Sequence, residues 1–174
     1  GPLSFLRRAM LRREARLYRR LAGFAGSPRC HGLVRGRYLV LDYVEGVPRH
    51  QAEIPDRERF FTALREYIEE LHRRGIAHGD LQKKDNILVT PEGAPLILDY
   101  GVAVHRKPGF APLNHRLWDF LARLDFNTWV KLKYRGRLEG ISVDDRLDYR
   151  RSWPERLARR MKRAWRWLKA RVTA

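Results

Sequence analysis

The stretch His78-Gly79-Asp80-Leu81-Gln82-Lys83-Lys84-Asp85-Asn86 runs directly into the apolar Ile87-Leu88-Val89. A second apolar run, Leu96-Ile97-Leu98, ends on Asp99-Tyr100-Gly101. Carboxylates, an amide and lysines thus stand at both ends of two oily segments. Phosphoryl transfer needs such a set: one carboxylate to orient and deprotonate an attacking hydroxyl, and an amide oxygen with a second carboxylate to hold Mg²⁺ against nucleotide phosphates. Mg²⁺ suits hard oxygen ligands of this kind. The turn Pro91-Glu92-Gly93 folds the two runs into a hairpin, which brings Asn86, before the first strand, beside Asp99, after the second.

The elements that must position these groups are legible around them. Residues 56–74 read as a helix with the stripe Phe60, Phe61, Leu64, Tyr67, Ile68 and Leu71. Asp56 and Glu58 stand at its positive end, and His72, Arg73, Arg74 and Gly75 close it. Residues 6–21 read as helical, with Leu6, Met10, Leu11, Leu17 and Leu21 available for burial and Gly23 as a stop. Tyr38-Leu39-Val40-Leu41 reads as a strand leaving through Asp42 to Gly46, and 114–133 as a further helix. Tyr43, Trp118 and Trp129 read as core or interface aromatics.

Here the sequence resembles the protein-kinase-like superfamily. His78 to Asn86 looks like the catalytic loop and Asp99-Tyr100-Gly101 like the metal-binding Asp-Phe-Gly. The His-Gly-Asp form is similar to RIO-type kinases, aminoglycoside phosphotransferases and bacterial lipopolysaccharide-core sugar kinases. The resemblance runs over roughly residues 12–130 and is weak beyond Pro112. It implies an α+β, protein-kinase-like fold with a truncated N-lobe (1–46) and a mostly helical C-lobe (47–149); the basic amphipathic tail helix (150–174) is read from periodicity and charge instead. By the same resemblance ATP and Mg²⁺ are the expected nucleotide and metal. Asp80 matches the catalytic base, His78 the loop-bracing histidine, and Asn86 and Asp99 the metal ligands. Backbone groups of Asp42, Tyr43 and Val44 match the adenine contact, and Glu14 the Glu of the regulatory helix. Lys83 or Lys84 would neutralise the transferring group.

Four points stay open on the sequence. Six positions separate Asp80 from Asn86, where the common pattern has five, so Asp85 rivals Asn86 as ligand. Glu14 could equally pair with a neighbouring Arg on an exposed helix face. Asp119 would either brace the catalytic loop or pair with Arg123 at i+4. No Gly-rich loop precedes Glu14 and no lysine precedes Lys83. A trimmed kinase and a natural short form, active or inactive, both fit that pattern.

Composition bounds the rest. The 174 residues are 44% hydrophobic and 11% aromatic, enough for a core and too apolar for global disorder. The single Cys30 excludes an internal disulfide or zinc cluster and suits a reducing compartment. No uncharged apolar run approaches a membrane span, and Arg7 and Arg8 interrupt any secretory signal. The net charge of +17 concentrates at the ends, +6 in residues 1–20 and +9 in 150–174. From Trp153 to Val172, Leu157, Met161, Trp165, Leu168 and Val172 share one helical face, with Arg and Lys over the remainder. A tail docked on the domain, or lying on an anionic membrane surface with Trp165 and Trp167 at the headgroups, fits this pattern. Nucleic-acid binding ranks last, since no reading module accompanies the charge.

Between Val102 and Pro112 there is no Ser, Thr or Tyr, so a phosphorylation-switched loop is not expected there. The chemistry expected is therefore phosphorylation of a hydroxyl. The preferred acceptor is a small molecule or glycolipid, such as a membrane-associated lipopolysaccharide-core sugar. A RIO-like serine/threonine protein kinase and an inactive kinase-fold scaffold at an anionic surface are the alternatives. The expected location is cytoplasmic, or peripheral on the inner face of the membrane.

Overall fold

The computed structural model describes residues 2–149. Helix α1 (Pro2–Arg20) ends where the Leu21 amide turns back onto Leu17 and Tyr18 carbonyls and Gly23 takes φ +73°. Strands β1 (Cys30–Val34) and β2 (Tyr38–Leu41) form an antiparallel hairpin, with Val34 opposite Tyr38 and Cys30 opposite Leu41. Arg35 and Gly36 at its tip both have positive φ, the geometry that matches the right-handed twist of paired strands. The strand β3 (Val47–Pro48) then adds to the edge of a second sheet.

Helix α2 (Arg57–Arg73) starts where the Asp56 side chain accepts from the Arg59 amide at 2.9 Å. Its Phe60, Phe61, Leu64, Ile68 and Leu71 are buried at the helical spacing read from the sequence. Against this face pack Ile76, Ile87, Ile97, Trp129 and Val130, all essentially inaccessible. Burial of such side chains stabilises by about 1.5–3 kcal/mol each, which makes this cluster the platform under the loop that follows. Trp129 meets its polar requirement by donating Nε1–H to the Phe61 carbonyl at 2.7 Å.

After α2 the chain forms β4 (Ile76–Ala77), the hairpin β5 (Ile87–Val89) and β6 (Pro95–Ile97), and β7 (Val104–His105). The sheet order is β3-β5-β6, with Ile87 opposite Ile97, and β4 pairs separately with β7. Helix α3 (Pro112–Lys133) and the short α4 (Val143–Asp148), capped by Ser142, complete the described chain.

Several expectations need correction. β1, β3, β4 and β7 were not anticipated: three of them hold only two residues, and strands so short exist through pairing rather than composition. The second hairpin strand begins at Pro95 and stops before Leu98. Met10 is 53% exposed and Tyr43 92% exposed, so neither is a core residue, whereas Trp129 is. The tail reading for 150–174 lies outside the described residues. Among those described, no helix is long and apolar enough to cross a membrane.

Candidate active site

The loop after β4 is fixed from beneath by a buried carboxylate of α3. Asp125 accepts from the His78 amide at 2.8 Å, the Gly79 amide at 2.7 Å and His72 Nε2 at 3.0 Å, with only 1% of it exposed. Three donors on one buried carboxylate satisfy both its oxygens, which is what permits it inside the core. His78 is itself fully buried. Its Nδ1 accepts from the Asp80 amide at 3.2 Å and its Nε2 donates to the Leu98 carbonyl at 2.9 Å, which fixes one tautomer. The ring therefore ties Asp80 to the residue before Asp99.

Gly79 explains why the motif is His-Gly-Asp. Its φ is +77°, and a Cβ there would stand 2.9 Å from Leu121 Cδ2. A side chain at this position meets both backbone strain and a clash with α3.

The loop length resolves into two turns. The Lys83 amide returns to the Asp80 carbonyl at 3.3 Å, and the Asn86 amide to the Lys83 carbonyl at 3.2 Å. Two successive three-residue steps bring Asn86 back under Asp80. Its Nδ2 donates to the Asp80 carbonyl at 2.9 Å and reaches Asp80 Oδ2 at 3.5 Å. Asn86 is 1% exposed, whereas Asp85, one position earlier, is exposed on the outside of the turn. The Leu98 amide donates to the Asn86 carbonyl at 2.9 Å, so the hairpin sets Asn86 alongside the approach to Asp99.

Asp99 adopts φ +62°, a left-handed conformation costly for a non-glycine residue. It is held there by its own contacts. Its amide donates to the Tyr18 hydroxyl at 3.3 Å, Oδ1 accepts from the Gly101 amide at 3.2 Å, and Oδ2 pairs with Lys83 Nζ at 2.7 Å. The Lys83 bond lowers the Asp99 carboxyl below its usual range, opposed by partial burial, and the same bond raises the Lys83 ammonium. Lys83 also feels the charges of Asp80 and Asp85. The side chains of Asp80, Asn86, Asp99 and Lys83 therefore converge on one region.

Helix α1 supplies the opposite wall. Tyr18 meets Tyr100 edge to face at 5.0 Å between ring centroids, and Tyr100 meets the tilted His78 ring at 5.1 Å. Burial pushes the Tyr18 and Tyr100 hydroxyls up. Glu14 reaches the same segment: its carboxylate stands at the Tyr100 amide, and burial together with the Asp99 charge raises its pKa. It is half-buried against this segment rather than on an open helix face. A cavity of about 790 Å³ between α1 and the β1–β2 turn is lined by Arg7, Arg8, Glu14, Arg37, Tyr38 and Gly101, among others.

The remaining sequence candidates lie at the margins. Of the three residues expected to contact adenine, Asp42 donates its amide to the Arg29 carbonyl at 2.9 Å and turns its side chain to His31, and Tyr43 is exposed. Lys84 is exposed, and its carbonyl faces His50 Nδ1 at 3.3 Å. Asp119 is exposed; Arg123 Nε donates to its main-chain carbonyl at 3.0 Å, and the brace under the loop is Asp125 instead. Asp125, Tyr18 and Arg13, whose guanidinium donates to the Gly101 carbonyl at 2.7 Å, are positions around the loop that the sequence reading missed. A signal existed for two of them: Asp125 lies on the buried side of α3 four residues before Trp129, and Tyr18 follows Glu14 by one helical turn.

Comparison with solved structures settles the architecture. The crystal structure of the Rio2 kinase from Chaetomium thermophilum matches with a TM-score of 0.59 at 20% identity, covering 87% of this chain and 48% of that one. The fold is protein-kinase-like. The likeness reaches beyond the stretch that the motifs alone carried. The ADP/Mg²⁺-phosphoaspartate complex of the same kinase matches with a TM-score of 0.55, covering 47% of that chain. Among curated proteins, the serine/threonine-protein kinase grp of Drosophila melanogaster is 41% identical over 58 residues, 33% of this chain and 10% of that protein. Sperm motility kinase 2B of Mus musculus is 32% identical over 79 residues, 41% of this chain and 16% of that protein. No protein-family model matches. The chain thus spans about half the length of the Rio2 structures and a small part of the curated kinases.

Proposed function

We propose that the chain is a phosphotransferase that moves a phosphoryl group from ATP to a hydroxyl. The observation that carries this is the closure of two turns and a hairpin, which puts the Asn86 amide on Asp80, the Leu98 amide on the Asn86 carbonyl and the Lys83 ammonium on Asp99. Asp80, half-buried and oriented through the His78 ring, accepts the proton of the acceptor hydroxyl. The side-chain oxygens of Asn86 and Asp99 fit Mg²⁺, which takes one or two protein oxygens and completes its shell with phosphates and water. When bound, Mg²⁺ would neutralise phosphate charge. Lys83, on a flexible stem beside Asp99, supplies a mobile cation for the transferring group.

The acceptor reading rests on the short path from Gly101 to α3, which leaves little chain to dock a peptide. It supports a small or lipid-borne acceptor such as a lipopolysaccharide-core sugar. The local likeness to the serine/threonine-protein kinase grp supports the rival, a serine/threonine protein acceptor. A third reading, a kinase fold that binds without transferring, is favoured by one observation: half-buried Glu14 feels the like charge of Asp99.

Thermal unfolding with ADP or ATP, with and without Mg²⁺, tests the proposal. A ligand at 100 times its Kd adds about 2.7 kcal/mol, which raises Tm by several degrees in a chain of this size. The Mg²⁺-dependent part should vanish in Asp99→Ala and in Asn86→Ala and persist in Asp85→Ala. No shift in the wild-type chain refutes the nucleotide site. A shift without phosphate transfer to sugar, glycolipid or protein acceptors selects the binding-only reading.

A further inference from the structure

Arg13 lies on α1 next to Glu14, yet its guanidinium is directed away from solvent, toward the segment that follows Asp99. Nη1 donates to the Gly101 carbonyl at 2.7 Å and Nη2 donates to the Ala103 carbonyl. The fork of a guanidinium spans two carbonyls two residues apart, a fit that a single ammonium cannot reproduce. These bonds join positions 88 and 90 residues apart in the chain.

The grip continues to Asp99. Gly101, whose carbonyl Arg13 holds, donates its own amide to Asp99 Oδ1 at 3.2 Å. The Ala103 amide closes a turn onto the Tyr100 carbonyl at 3.1 Å, and Val104 then enters the β4–β7 pair beside His78. Asp99 sits at φ +62°, which surrounding contacts must maintain. We propose that Arg13 is a positioning residue for the magnesium site, setting the Asp99 carboxylate by clamping the Gly101 and Ala103 carbonyls. The inference rests on Asp99 being a metal ligand, as proposed above. It makes α1 part of the metal site through a side chain that touches neither metal nor nucleotide.

Because Arg13 acts through Asp99, its loss should change how Mg²⁺ is used rather than how nucleotide is held. The experiment titrates Mg²⁺ at fixed ADP and reads the midpoint of the thermal shift, with ADP binding in EDTA measured alongside. Losing charge-assisted bonds of this class corresponds to roughly a tenfold or larger change in an equilibrium. Arg13→Ala should therefore raise the Mg²⁺ midpoint about tenfold or more and leave binding in EDTA within about twofold. Arg13→Lys should fall between, and it carries the test if the alanine variant does not fold. Arg12→Ala, at an exposed neighbouring position, should match the wild type.

An unchanged midpoint in Arg13→Lys and Arg13→Ala, while Asp99→Ala shifts it, overturns the positioning role. Equal weakening with and without Mg²⁺ also overturns it, since that is the signature of a general brace. If Asp99→Ala itself leaves the Mg²⁺ dependence intact, the assignment of Asp99 falls first and this inference with it.

Discussion

Replacing Asp125 by Asn tests the architecture of the site at its root. The carboxylate accepts three bonds of 2.7–3.0 Å from Gly79, His78 and His72 in an environment where almost none of it reaches water. Hydrogen bonds to a charged group contribute about 1.5–3 kcal/mol each, and a buried amide left without a partner costs about 1–3 kcal/mol. Asn retains one oxygen acceptor, so one backbone amide keeps its partner while the other meets an N–H₂ group. The net loss is about 3–5 kcal/mol, a large fraction of the stability of an ordinary domain. Urea unfolding should show the midpoint falling with the slope unchanged, and Tm should drop by roughly 6–20 °C. Asp119→Asn, on the exposed side of the same helix, should stay within about 0.5 kcal/mol of the wild type. Equal, small effects of the two substitutions would refute the claim that α3 holds the loop through Asp125.

Three further outcomes follow from the same geometry. Gly79→Ala combines φ +77° with a 2.9 Å approach to Leu121 and should cost about 1–3 kcal/mol, read by urea unfolding, whereas Gly93→Ala, at φ +76° with nothing within 4 Å, should cost about 1 kcal/mol; equal costs would remove Leu121 from the explanation. Glu14 has its pKa raised from 4.5 by burial and by Asp99, so it holds a proton more tightly when folded, and its stabilising contribution is full below 4.5 and lost as pH rises through the folded value. Glu14→Gln should therefore have the higher Tm at pH 7, with the difference closing below pH 4.5, and a lower Tm at pH 7 would contradict the placement of Glu14. Asp80→Asn should reduce phosphate transfer by about 10²–10⁴-fold in a radiolabel assay while the nucleotide-induced thermal shift persists, and retained transfer would exclude Asp80 as the base.

Much of this was legible in the sequence where local physics decides. The stripe of α2 and its Asp56 cap announce the helix, and two apolar runs around Pro91–Gly93 announce the hairpin. The motif residues fell within one region because that hairpin has a single workable register. What escaped the reading depends on partners far away in the chain. β4 and β7 are two residues each and exist only because they pair with one another. β1 contains Gly32 and an irregular register, which hides its alternation. Arg13 looks like one more surface arginine among seven in the first twenty residues, and only the fold directs it to Gly101.

The extra residue between Asp80 and Asn86 shows how a departure from a pattern can preserve its chemistry. Two i→i+3 turns in succession advance six positions and return the chain to its starting point, so the added residue is absorbed in the exposed crest of Gln82 to Asp85. A five-residue spacing would place Asp85 under Asp80, and a carboxylate there would repel its neighbour where Asn86 instead donates. The crest gives the site something in exchange. It lifts Lys83 to a position from which its ammonium bonds Asp99 Oδ2 while both groups remain about half exposed. An exposed pair of this kind is weakly held and readily exchanged. Lys83 and a divalent cation would compete for that oxygen, and a displaced Lys83 stays within reach of Asp80. The crest thus holds a positive charge on the proposed metal ligand, within the field of the proposed base.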